Sequence, residues 1–285
     1  MVVLNPLLAH TGQPPAPHDL WQAWNIDPVL VTGFALIICV YARGRAHGSR
    51  RPIDRWRTRS FVVAMLALGV ALLSPLEPLS SALASAHMVQ HVLLILVAAP
   101  LLAFSAPSST LLRGSPLSVR RASGRWRRRL RLRAAAFAPL RNPAMVWLLH
   151  VATLWVWHSA SAYDATLESE AVHILEHVTF VVTGVLFWRS VIGSRSAGRV
   201  SNGVGVLLVF GMSMQSVFLS ALLTFASEPW YEGYAATTAA WGLEPLADQQ
   251  LAGAIMWIPA GAVYVLVGLT LLASWIRLSE REPVA

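Results

Sequence analysis

The chain has 285 residues, of which 55% are hydrophobic and only 13% charged. A soluble domain carries about 25% charged residues, so a sizeable soluble domain is excluded and a membrane bundle is expected. The net charge is +8 with no lysine, all 22 basic residues being arginine. No aromatic–basic interleaving accompanies that charge, which argues against nucleic acid as a partner. Cys39 is the single cysteine, which excludes a disulfide framework and a thiolate-only metal site.

The expected fold is all-α, a polytopic membrane bundle of about seven transmembrane helices. Residues 1–26 read as an extracytoplasmic tail, without positive charge up to residue 25 and with Pro14, Pro15 and Pro17. Apolar blocks at 27–43, 60–76, 80–104, 143–161, 170–192, 203–226 and 248–276 are each long enough to cross about 30 Å of hydrocarbon. Together, residues 27–276 form the transmembrane domain, and 277–285 a short cytoplasmic tail. Pro100 falls near the inner end of the third block, where neighbours or water can satisfy the freed carbonyl.

Every arginine falls in alternate connections: 43–59, 113–141, 189–199 and after 276. The other connections hold most of the acids, among them Glu77, Asp164, Glu168, Glu228 and Glu244. By the positive-inside rule, the N-terminus lies outside and the C-terminus in the cytoplasm. The expected location is a bacterial cytoplasmic (inner) membrane. Within the Arg-rich cytoplasmic loop 105–142, the stretch Ser118–Arg133 reads SVRRASGRWRRRLRLR. Two readings stand: an interfacial segment whose Arg125, Arg127, Arg128 and Arg129 meet anionic lipid head groups, or a topology determinant alone. Trp21, Trp24, Trp157, Trp230 and Trp241 at one boundary, with Trp56, Trp126, Trp188 and Trp275 at the other, read as an aromatic belt.

Function is carried by the histidines. His10, His18 and His47 lie outside the spans, whereas His87, His91, His150, His158, His173 and His177 lie within them. At 1.5 Å per residue, His87 falls roughly 10 Å below the outer surface, and His91 and His150 roughly 16 Å below it. His158, His173 and His177 are closer to that surface, so all six share the outer half. His87/His91 and His173/His177 are pairs four residues apart, which puts two imidazoles on one helix face. Glu176 is a ligand or an acceptor that orients a ring. A single intramembrane histidine is ordinarily a hydrogen-bonding group between helices. Six at one level point to a shared metal or cofactor site facing the extracytoplasmic side. Imidazole suits copper, zinc, iron and nickel, and thioether favours Cu(I). Met88, Met212, Met214 and Met256 are the candidate sulfur ligands, core packing being the ordinary explanation of each. Asp248 reads either as the N-cap of the last helix or as part of the site.

Several of these motifs occur together in one known family. His87-Met88-Val89-Gln90-His91 with the LLILVAAPLL run after it, Trp157-His158 with Tyr163, HILEH before Phe187-Trp188, and Asp248-Gln249 leading to Ile255-Met256-Trp257 resemble the CtaG family of cytochrome c oxidase assembly factors. The resemblance spans roughly residues 28–276. It implies a non-enzymatic membrane factor that helps form the copper centre of a haem-copper oxidase catalytic subunit. It carries His87, His91, His158, His173 and His177 over as motif positions; His150 joins them on depth alone. Glu176, Asp248, Met88 and Gln90 are then candidates for groups supporting the ligands. An extracytoplasmic copper carrier would be the donor, and Cu(I) the cargo. The competing readings are a haem-bearing electron-transfer protein or reductase, with His91 and His150 as axial ligands, a transporter using Glu176 and Asp248 as a relay, and a structural scaffold for oxidase subunits.

Overall fold

The computed structural model describes residues 14–47, 55–132, 139–193 and 199–279. His10, Arg50, Arg51, Arg133, Arg195 and Arg281, with the side chains of Arg127 and Arg131, lie outside the described residues. Among the described residues the chain is helical, with no strand. The helices are α1 (Pro28–Ala46), α2 (Arg55–Leu73), the short α3 (Leu76–Ser80), α4 (Ala84–Ser105), α5 (Ser108–Gly114), α6 (Leu117–Leu132), α7 (Pro143–Trp157), α8 (Ala160–Glu168), α9 (Glu170–Ile192), α10 (Asn202–Thr224) and α11 (Pro245–Ser279).

Six of these, α1, α2, α4, α9, α10 and α11, are long and apolar enough to cross a membrane. The fold is therefore the expected polytopic helical bundle. The block expected at 143–161 is shorter than predicted. Its helix α7 has 15 residues and reaches about 22 Å. It stops at Trp157 because His158 turns its ring back onto the Leu154 carbonyl, which caps the last turn. The third span begins at Ala84 instead of residue 80, since Pro75 and Pro78 shape the separate α3 turn before it.

Contacts between helix ends fix the arrangement. Asn202 at the start of α10 bonds Ser274 near the end of α11, so those helices are antiparallel. Trp157 in α7 bonds Thr179 in α9, and Asn25 before α1 bonds the Leu73 carbonyl at the end of α2. The described arginines accordingly gather at one end of the bundle, and the histidines of α4 and α9, with His158, lie toward the other. α1 packs on the edge, where Gly44 and Gly114 let backbones touch. A Cβ on Gly44 would fall 2.0 Å from the Thr110 carbonyl oxygen, and one on Gly114 1.9 Å from that of Val40. α6 keeps Arg125, Arg128 and Arg129 exposed, an arrangement that serves both readings of that segment.

The core lies between α4, α7, α9, α10 and α11. Trp188, expected in the aromatic belt, is fully buried there. The reason is a helix defect. Residues 93–98 of α4 form a π-helical turn, in which Ala99 N–H bonds the Leu94 carbonyl five residues back. The next donor in that register would be residue 100, but Pro100 has no N–H. The Ile95 carbonyl is thereby freed, and the Trp188 Nε1–H donates to it at 2.9 Å.

Candidate metal centre

α4 and α9 run side by side and bring their i, i+4 histidine pairs together. Ring centroids of His87 and His91 are 4.4 Å apart, those of His173 and His177 4.2 Å. The pairs meet across the helices at 5.0 Å (His87–His173) and 5.9 Å (His91–His177). His158 joins from the end of α7, 5.6 Å from His91. Five of the six expected histidines thus form one contiguous set. His150 does not join it. Its Nδ1 bonds Thr183 Oγ1 at 2.9 Å and its ring lies along Phe187. The depth count from sequence puts it level with His91, but α7 ends at Trp157, so His158 takes that level and His150 lies about two turns deeper, beside Gly184.

Glu176 sits in the middle, fully buried. Its Oε2 is 3.2 Å from His87 Nε2 and its Oε1 is 3.3 Å from His91 Nε2. One ligand atom each from His87, His91, Glu176 and His177 all lie within 4.8 Å of one another, and the same holds for Glu77, His173 and His177. Four donors at about 2.1 Å from one ion in a tetrahedron stand about 3.4 Å apart. Side-chain shifts that shorten these separations by up to roughly an ångström would therefore close either set around a metal.

The proton arrangement around His87 can be assigned from its partners. The Tyr234 hydroxyl donates to the Ser80 carbonyl at 2.7 Å. Its oxygen must then accept from His87 Nδ1, 3.2 Å away, which makes that nitrogen N–H. In neutral His87 the Nε2 lone pair therefore points at a carboxylate. Two facing buried acceptors repel unless a cation, a proton or a metal ion, lies between them. His158 repeats the pattern. Its Nδ1 donates to the Leu154 carbonyl at 2.8 Å, and its buried Nε2 has no partner. Metal-bound histidines are typically held in this way, one nitrogen fixed by an acceptor and the other free to bind.

The supporting residues correct one expectation. Asp248 does not cap its own helix. Its carboxylate accepts from Ala84 N–H at 2.6 Å, from Ser85 N–H at 3.3 Å, and from the Ser85 hydroxyl. It caps α4 across the chain, where Leu83 supplies no side-chain cap. Gln249 accepts from Trp230 N–H at 2.6 Å, and Gln250 donates to the Ala226 carbonyl. Gln90 donates to the Ala71 carbonyl and to Glu77 Oε2, the carboxylate whose other oxygen faces His173. Met88 is buried beside the site.

Glu77, Tyr163 and Tyr234 are functional candidates that the sequence reading did not assign. Glu77 Oε1 lies 3.5 Å from His173 Nδ1 at the half-buried rim. Burial, with Glu170 and Glu176 nearby, pushes its carboxyl up to about 7 against the Gln90 hydrogen bond. Tyr163 and Tyr234 touch at their hydroxyls, and burial keeps both as phenols. Only the Tyr163 motif position hinted at this. Glu77 and Tyr234 come from connections with no local signal.

Fold and site together define a polytopic helical membrane protein with a buried histidine–glutamate cluster at one end. A family model described as cytochrome c oxidase caa3 assembly factor (Caa3_CtaG) matches residues 37–278, and the chain belongs to that family. Curated relatives described as uncharacterized proteins occur in Mycobacterium bovis, Mycobacterium tuberculosis and Mycobacterium leprae. Each is 25% identical, over 282, 282 and 287 residues, or 94%, 94% and 95% of this chain. The alignments cover 42% of each relative, so the chain spans about two fifths of their length. No solved structure matches.

Proposed function

We propose that this protein binds copper, as Cu(I), through the histidine–glutamate cluster and supplies it, without catalysing a reaction, to the copper centre of a haem-copper oxidase catalytic subunit. The observation that carries the reading is the close set of His87, His91, Glu176 and His177, all buried. A buried carboxylate among imidazoles with unpartnered nitrogens suits a cation that arrives and leaves. The family's assigned process, oxidase assembly, supplies the recipient.

By the positive-inside rule, the arginine end faces the cytoplasm and the cluster faces the extracytoplasmic side of a bacterial inner membrane. Cu(I) would come from an extracytoplasmic carrier, and exposed arginines of α6 would rest on anionic lipid. Haem is the weaker alternative. The cavity beside His91 and His158 is about 30 Å³, far below the roughly 300–1,000 Å³ of cofactor sites.

The test is copper content and an ultraviolet–visible spectrum of the detergent-purified chain after Cu(I) loading, beside His87→Ala/His91→Ala. Stoichiometric copper, lost in the variant and without a Soret band, is the expected result. No copper in either protein would refute the reading, and a Soret band would replace it with the haem one.

A further inference from the structure

The cluster has a second side. A cavity of about 30 Å³ lies between α4, α7, α10 and α11, and its lining includes Met88, His91, His158, Met212 and Met256. All five side chains are buried, with exposures of 1, 3, 2, 1 and 6%. No carboxylate is among its described lining residues. His91 belongs to both sides. Its Nε2 faces Glu176, while its Nδ1 is buried without a partner. His158 adds a buried Nε2, also without a partner.

Packing alone does not account for this. Methionine is the side chain that fills irregular gaps, yet three of them, from three helices, surround a space that stays open. That space is large enough for one water or one ion. It is also built into the backbone: Ile95 and Leu96 of the π-helical turn line it. Pro100 and the Trp188–Ile95 bond hold that turn in place. Such turns concentrate at functional sites.

The donor set decides which ion fits. Thioethers and imidazoles are neutral, so nothing in the lining offsets a buried charge. The Born cost rises with the square of the charge, which penalises a divalent ion fourfold over a monovalent one. Sulfur donors also select soft d10 ions. The Glu176 side has the opposite character, with an anionic oxygen that favours harder divalent ions.

We propose that the chamber of Met88, Met212, Met256, His91 and His158 is a second metal site, selective for soft monovalent ions, joined to the Glu176 set through His91. This deepens the copper reading and rests on it. It gives Cu(I) a second, soft-donor position beside the histidine–glutamate set, and confines divalent ions to the carboxylate set.

Ag(I), a redox-inert probe of the same softness, and Zn(II) are titrated separately into the detergent-purified full chain and into Met212→Leu/Met256→Leu. These substitutions conserve volume. The expected result is a loss of about 10–100-fold or more in Ag(I) affinity, with Zn(II) affinity and thermal midpoint unchanged. Absorption-edge spectroscopy of the Ag(I)-loaded wild-type chain should show sulfur neighbours, a readout that needs no variant to fold. Zn(II) bound at the cluster with Ag(I) affinity unchanged in the double variant, or an Ag(I) shell of nitrogen and oxygen alone, overturns the second site and leaves the cluster reading standing. Binding of neither ion overturns both.

Discussion

Asp248→Ala tests whether the site depends on a cap supplied from another helix. The carboxylate satisfies two backbone N–H groups and one hydroxyl at the start of α4, and it is fully buried. Each buried donor left unpaired costs about 1–3 kcal/mol. The freed Ser85 hydroxyl can turn to a carbonyl of its own helix, so the two N–H groups dominate, the long 3.3 Å bond of Ser85 N–H counting at the low end, and the loss should be about 2–4 kcal/mol. For a chain of this size that corresponds to a thermal midpoint lower by roughly 5–15 °C. Ser85→Ala removes only the hydroxyl and should cost about 1 kcal/mol. Asp248→Asn keeps one acceptor and should fall between them. Tryptophan-fluorescence melting of the three purified variants gives the order directly. His87 begins three residues after Ala84, so copper affinity should fall in the same order. An alanine variant that melts with wild type, or with Ser85→Ala, would show that the N–H groups find other acceptors and that the cap is incidental.

Two further outcomes follow from the charges in the cluster. Glu176→Gln removes the only carboxylate among the described residues that pairs with His87 and His91, worth about 4 kcal/mol for unit charges about 4 Å apart at an effective dielectric near 20. Cu(I) affinity, read by competition with a chromophoric chelator, should drop by about 10²–10³-fold, and an unchanged value would place the ion elsewhere. Glu77, with its carboxyl raised to about 7 by burial, stabilises the fold in its protonated form. That contribution is complete below the unfolded value of 4.5 and is lost as pH rises through about 7. Chelator-treated wild type should therefore lose thermal stability between about pH 5 and 8 more steeply than Glu77→Gln; parallel curves would refute the assignment.

The sequence carried the pairing of the histidines well and the helix ends poorly. Alternation of arginine-bearing connections placed six histidines at one level, and the i, i+4 spacing put each pair on one face. His150 shows the limit. Its depth is counted from a helix end near 161, but α7 stops at Trp157 and His158 meets His91, so His150 lies about two turns deeper, against Thr183. Asp248 shows a second limit. A carboxylate in a first helical turn looks like a local cap, and its actual partners, Ala84 and Ser85, are more than 160 residues away in the chain. Trp188 shows a third. Its pairing with Ile95 depends on Pro100 falling where a π-helical turn would need a donor, which neither residue reveals alone.

Under the copper reading, the arrangement explains how tight burial and release can coexist. A closed four-ligand cage holds an ion but offers no route out. Here the donor sets overlap. Glu77 and His173 at the rim share His177 with the inner set, and the inner set shares His91 with the thioether chamber. An ion can therefore exchange one ligand at a time, never passing through a bare intermediate in a region where an unpaired charge costs several kcal/mol. The rings themselves are held stiffly, His87 by Tyr234 and His158 by the Leu154 carbonyl. Exchange then needs small shifts of the ion between fixed donors, with no rearrangement of the helices.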